Sequence, residues 1–167
     1  PALAFITAMS TRLPAISPHF LALPKKVGGS MMRPYRDTRF SADKTPYKTN
    51  LGIQFRHRAG KDIHAPGWYV HISHEDTFLG VGMWHPDGQS LGDVRKRIDA
   101  EQSTWLSIRD GATFKTSWAL EGNSLVRAPR GYDIGHPLIE DLRRKDFIAV
   151  AHLDFDDVLD AGFLDAT

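Results

Sequence analysis

No cysteine occurs in the chain's 167 residues. That single absence excludes disulfides, thiolate zinc sites and cysteine nucleophiles, and it fits a reducing cytosol. Long apolar runs are missing as well. Near the start, Leu3 to Met9 falls far short of the roughly 20 residues that span a bilayer, and no basic region precedes it as a secretory signal requires. A soluble, cytoplasmic protein without a membrane partner is expected. There is also no Walker loop, GxGxxG turn or GxSxG nucleophile elbow, and no internal repeat. With these signatures lacking, no cofactor is assigned and the question of enzymatic activity stays open.

What is present is an uneven charge distribution. The net charge is only +1, yet residues 25 to 61 hold ten Lys and Arg against two acids, a balance of +8 that leaves −7 for the rest. Within this stretch, Arg33-Pro-Tyr-Arg36-Asp37-Thr-Arg39-Phe40-Ser-Ala-Asp43-Lys44-Thr-Pro-Tyr47 crowds three arginines, one lysine, two aspartates and two tyrosines together. Guanidinium groups keep their charge at any relevant pH and offer planar paired donors, which suits phosphate or carboxylate. A spacing of three does not hold Arg33, Arg36 and Arg39 on one strand face, so their convergence requires a bend near Asp37. Two readings stay open: an anion site, or an Arg–Asp network that only fixes the loop. Lys44, Tyr47 and Lys48 extend the same surface. Asp37, between two arginines, is expected to have a lowered pKa, which suits an ion pair better than a general acid.

Strand and helix signals surround this motif. Leu3, Ile6, Met9 and Leu13 predict a helix over residues 2–13, ended by Pro14, followed by a loop rich in Pro and Gly to Gly29. Leu51, Ile53 and Phe55 alternate with polar residues as in a half-buried strand. Trp68 to Ser73 and Thr77 to Trp84 predict a hairpin turning at His74, Glu75 and Asp76. There Gly80 and Gly82 leave one face bare, as where a backbone, a large side chain or a ligand comes close. Ser90 and Asp93 predict a cap for one helix over 91–109. Phe114 and Trp118 mark a short helix, Pro137 the start of another, and Phe147 to Leu153 a strand. Asp154 and Asp157 can cap a last short helix. Strands first and helices later predict an α+β fold, a single domain over residues 1–167 with a largely antiparallel, curved sheet packed by several helices.

Among the histidines, His71 is the best placed for chemistry, on a strand face shared with Tyr69; its plainer reading is a satisfied sheet histidine. His71 and His74 with Glu75 and Asp76 have the residue types of a metal site, but a strand end does not aim both imidazoles one way, so no metal site is assigned. The remaining histidines, His64 among them, are too scattered to join. A second basic cluster, Arg127 to Pro137 with Arg130 at its centre, joins a loop to a helix start where anions can bind.

The segment Arg33 to Tyr47 resembles the RxxRDxRFxxDKxxY signature of the family known as Domain of Unknown Function 2461. The resemblance continues in Pro46-Tyr47-Lys48-Thr49-Asn50, Pro66 to Ile72, Gly80-Val-Gly82-Met-Trp84, Pro129 to Asp133 with His136-Pro137, and Lys145-Asp146-Phe147. It implies that the chain lacks N- and C-terminal segments of the full family domain, and it leaves the activity open. The expected ligand-binding residues are Arg33, Arg36, Asp37, Arg39, Lys44, Tyr47, His71 and Arg130. The expected partner is a phosphorylated or other anionic small molecule. The alternatives are a nucleic acid, on which Tyr35, Phe40 and Tyr47 would stack, or a structural domain with a buried Arg–Asp network. The oligomeric state is not predicted.

Overall fold

Helix α1 (Ala2–Ile16) turns Ile6, Met9 and Leu13 inward at helical spacing, and all three are buried. The computed structural model describes residues 1–58, 65–160 and 162–166; Lys61 of the basic count and His64 lie outside them. Six strands form an antiparallel open sheet: β1 (Phe20–Leu21), β2 (Leu51–His57), β3 (Gly67–Ile72), β4 (Thr77–Met83), β5 (Ala119–Glu121) and β6 (Phe147–Leu153). Their order is β1-β2-β3-β4-β6-β5. The fold is α+β, as the succession of strands and helices predicts. The chain divides into two compact units, residues 1–81 with 152–167, and residues 82–151.

In the first unit, β2 and β3 pair with Ile53 opposite Val70 and Phe55 opposite Trp68. Ile53, Phe55 and Val70 are buried, and Phe5 of α1 meets Phe55 at 6.3 Å between ring centroids. This is the α1-covered face of the sheet. Because side chains alternate along a strand, Gly52, Tyr69 and His71 fall on the other face. The hairpin turn is closed by side chains: Ser73 Oγ donates to the Asp76 carbonyl at 2.8 Å and Thr77 Oγ1 to the Ser73 carbonyl at 2.8 Å. The Asp154/Asp157 capping box is present, on a 3₁₀ turn over Phe155–Leu159.

The second unit is held by Ile98, Leu138, Leu142 and Phe147, with Leu91, Val94, Trp105, Leu106 and Tyr132 packed around them. Gly82 lies here. A Cβ on it would stand 2.0 Å from the Phe147 carbonyl oxygen, so at Gly82 the space is filled by backbone.

Several predicted boundaries are corrected. Helix α1 passes through Pro14 to Ile16: the proline has no N–H for the Ser10 carbonyl, but Ser17 N–H closes the last turn on Leu13 O at 2.9 Å. The predicted loop contains β1, whose two residues pair with Arg56 and His57. The predicted helix over 91–109 is two, α2 (Gly88–Ala100) and α3 (Gln102–Arg109), broken at Glu101 without Gly or Pro. The break goes with packing of Trp105 and Leu106 on the unit's core. The cap of α2 is Asp87, whose carboxylate accepts from Gln89 N at 2.8 Å and Ser90 N at 3.0 Å. A carboxylate satisfying two helix N–H groups outcompetes the Ser90 hydroxyl. Phe114 lies in α4 (Ala112–Ser117), and Pro137 precedes the short α5 (Ile139–Leu142) rather than starting it.

Candidate functional site

The basic motif folds back on itself. Tyr35 and Tyr47 form an antiparallel bridge, flanked by Arg36 N–H to Pro46 O at 3.0 Å and Lys48 N–H to Pro34 O at 2.8 Å. The prolines cannot donate and serve here as acceptors. The two tyrosine rings lie 5.3 Å apart and are exposed. Lys44 Nζ donates to the Thr38 carbonyl at 2.8 Å and ties the far end of the loop.

Inside this loop the arginines take separate partners. Arg39 grips Asp37 with both Nε and Nη2, at 2.9 and 2.7 Å. Arg36 donates to the Asp43 carboxylate and to Thr45 Oγ1. The Arg33 guanidinium is exposed, and among the described residues it has no hydrogen bond or ion pair. The Arg39 side chain holds the Asp37 carboxyl below its usual range, with help from the Arg39 N–H and the Arg33 charge. Asp43 is lowered too, first by the Thr45 N–H and hydroxyl and then by Arg36. The direction agrees with the expected lowering of Asp37: Arg39 is its hydrogen-bonding partner and Arg33 adds its charge.

Beside the loop lies an open cleft of about 430 Å³ lined by Arg36, Asp37, Lys48, Thr49 and Asn50. Two of these, Arg36 and Asp37, are predicted site residues. Among the described residues the Lys48 ammonium has no hydrogen-bond or ion-pair partner. The cleft leads to His71 through Asn50, whose Nδ2 stands 3.3 Å from His71 Nδ1. Tyr69 Oη lies 3.2 Å from the same nitrogen, and burial raises the Tyr69 phenol's pKa, keeping it a hydroxyl. His71 is half-buried, its ring stacked on Phe78 at 4.9 Å and 6°.

Other predicted residues are not among the described lining residues of the cleft. Arg39, Lys44 and Tyr47 belong to the folded loop, and Arg130 is an exposed residue of the second unit. His74 stacks on Phe155 at 4.2 Å, whereas His71 stacks on Phe78. Among the described residues no three His, Asp or Glu side chains are grouped to hold a metal ion. Lys48, Thr49 and Asn50 line the cleft without being among the expected ligand-binding residues, although the Pro46–Asn50 block of the family resemblance contains all three.

The fold and the cleft together define an α+β protein with an open antiparallel sheet and a charged loop folded beside one strand. The family model described as conserved hypothetical protein (DUF2461) matches residues 1–167, and the chain belongs to that family. No curated protein and no solved structure matches it. No helix among the described residues is long and apolar enough to cross a membrane.

Proposed function

We propose that this is a cytosolic protein that binds a phosphorylated or otherwise anionic small ligand in the cleft beside the arginine-rich loop. The observation that carries the reading is the lining itself. Lys48 brings a cation without a partner among the described residues to a concave surface that also holds the Arg36 guanidinium. The Arg36 guanidinium is paired with Asp43, so Lys48 is the cation left to attract a phosphate or carboxylate, with Arg36 as a second donor at the same surface. The volume, about 430 Å³, lies within the roughly 300–1,000 Å³ usual for small-molecule sites. Arg33, exposed on the same loop, adds to the field that draws anions in. Arg39 and Lys44 serve by shaping the loop.

Thermal unfolding with inorganic phosphate tests this. Saturation at about 100 times the dissociation constant adds roughly 2.7 kcal/mol, and Lys48→Ala abolishes the gain. An unchanged unfolding midpoint in the wild type, or an equal gain in the variant, refutes the proposal.

Nucleic-acid binding is the second reading, favoured by the exposure of Phe40 at 94%, with the Tyr35 and Tyr47 rings also open. Salt dependence separates the two, because several phosphate contacts lose orders of magnitude in affinity between 50 and 200 mM salt and a single bound phosphate, met by one or two cations, loses far less.

A further inference from the structure

The chemistry of the lining narrows the ligand class, and this step rests on the anion reading above. Of the five described lining residues, two are cations, one is a carboxylate, one a hydroxyl and one an amide. Among the described residues no aromatic or aliphatic side chain lines the cleft, so nothing in this lining favours stacking of a nucleobase or packing of an acyl chain. The Asp37 carboxylate discriminates further. Its Oδ2 accepts one hydrogen bond, from Arg39, and has further acceptor capacity. A ligand anionic at both ends would meet repulsion there, whereas a hydroxyl would be accepted.

Asn50 points the same way. Its Nδ2 is a donor only and stands 3.3 Å from His71 Nδ1, a nitrogen that Tyr69 Oη also approaches at 3.2 Å; as an acceptor, this nitrogen is shared by the two groups. The bond from Asn50 fixes the amide, engaging its donor end and leaving Oδ1 as an acceptor. The arrangement depends on Gly52, which lies opposite His71 in the β2–β3 ladder. A Cβ there would come within 2.9 Å of both the Tyr69 hydroxyl and the Met32 sulfur. Gly52 makes the room in which Tyr69 reaches His71, and the flat stack on Phe78 limits rotation of the imidazole.

We infer that the cleft takes a hydroxylated phosphate monoester, a sugar or polyol phosphate. Its phosphate rests on Lys48 and Arg36, and its hydroxyls donate to Asp37, Thr49 Oγ1 and Asn50 Oδ1. His71 is a positioning residue that sets Asn50 for this recognition.

Titration calorimetry of the chain with inorganic phosphate, glucose-6-phosphate and succinate tests the inference. Glucose-6-phosphate is expected to bind at least about tenfold more tightly than either other probe, a difference of about 1.4 kcal/mol. His71→Phe keeps the ring stack but removes the acceptor. It should weaken glucose-6-phosphate by a much larger factor than inorganic phosphate, bringing the two affinities together. Asn50→Ala, a change at the cleft wall, should do the same and covers the case in which His71→Phe does not fold. Phosphate binding that Lys48→Ala removes, with glucose-6-phosphate no tighter or succinate equally tight, overturns this inference while the anion reading stands. Binding of none of the three overturns both. Equal losses for phosphate and ester in both variants overturn the positioning role of His71.

Discussion

The peptide N–H of His85 donates to the Asp146 carboxylate at 2.7 Å, across 61 residues of sequence. Asp146 is fully buried and also accepts the Asn123 N–H at 2.9 Å. His85 is the one non-glycine with positive φ among the described residues, at 49°. A buried carboxylate is tolerable only when its oxygens are bonded, and these two N–H groups, with the His85 imidazole at 3.4 Å, satisfy it. Asp146→Ala strands both donors, at about 1–3 kcal/mol each, so denaturant unfolding should show a loss of several kcal/mol. Asp146→Asn, which keeps one acceptor oxygen, should cost less.

The backbone at His85 makes a separate prediction. A non-glycine residue in the left-handed region costs about 1–2 kcal/mol. His85→Gly and His85→Ala lose the same ring contacts with Trp84 and Asp146. The glycine variant should therefore be the more stable by about 1 kcal/mol, the reverse of the ordinary order. Equal midpoints would show that the loop relaxes without strain.

Glycines elsewhere should divide by what surrounds them. Gly82 has φ +135° and the Phe147 carbonyl against its open side, whereas Gly92, inside α2, has nothing within 4 Å. Gly82→Ala is expected to cost more than about 3 kcal/mol, since both strain and a backbone clash act there. Gly92→Ala should stabilise by about 0.5–1 kcal/mol through helix propensity. Thermal melts of the two variants, moving in opposite directions, check the assignment of Gly82 to close backbone approach.

Much of this fold was legible because the signals are local. The alternation at Leu51, Ile53 and Phe55 and the apolar run from Phe147 mark strands directly, and the Asp154/Asp157 box announces its turn with charge. The errors lie where packing outweighs local preference. Nothing within α2 or α3 announces the break at Glu101, which goes with docking of Trp105 and Leu106. At the site, sequence identified the charged residues but not their pairing. Arg36 finds Asp43 seven residues on, within the loop that the Tyr35–Tyr47 bridge closes, while Arg39 pairs locally with Asp37 two residues back. The role of Asn50 depends on His71, a contact made 21 residues away through the β2–β3 ladder.

In the second unit, Asp110 gives a pH prediction. The Arg109 side chain first, and then Lys115, lower its carboxyl pKa from 3.8 to about 2. A depressed carboxylate stabilises the folded state above the unfolded pKa and stops doing so as pH falls through the folded one. The Asp110 contribution should therefore be complete above about pH 5, shrink as pH falls below 3.8, and be lost only below about pH 2. Melting curves of wild type and Asp110→Asn should differ at neutral pH and converge through that window. A constant difference down to pH 2 would show that the ion pairs do not carry the effect.

The rival reading of the basic motif, a network that only fixes the loop, makes the opposite prediction from the anion site at Asp43. Arg36 faces the cleft yet donates to Asp43, so the carboxylate competes with any ligand anion for the same guanidinium. Asp43→Asn removes the negative charge and keeps an oxygen for the Thr45 N–H, which the carboxylate accepts at 2.9 Å. If Arg36 binds the ligand, this variant should raise affinity for inorganic phosphate, most visibly at low ionic strength where charge is least screened. If the pair exists to hold the loop, the same change should loosen residues 36–46 and lower affinity. Phosphate titrations of wild type and Asp43→Asn, at low and moderate salt, decide between the two by the sign of the change.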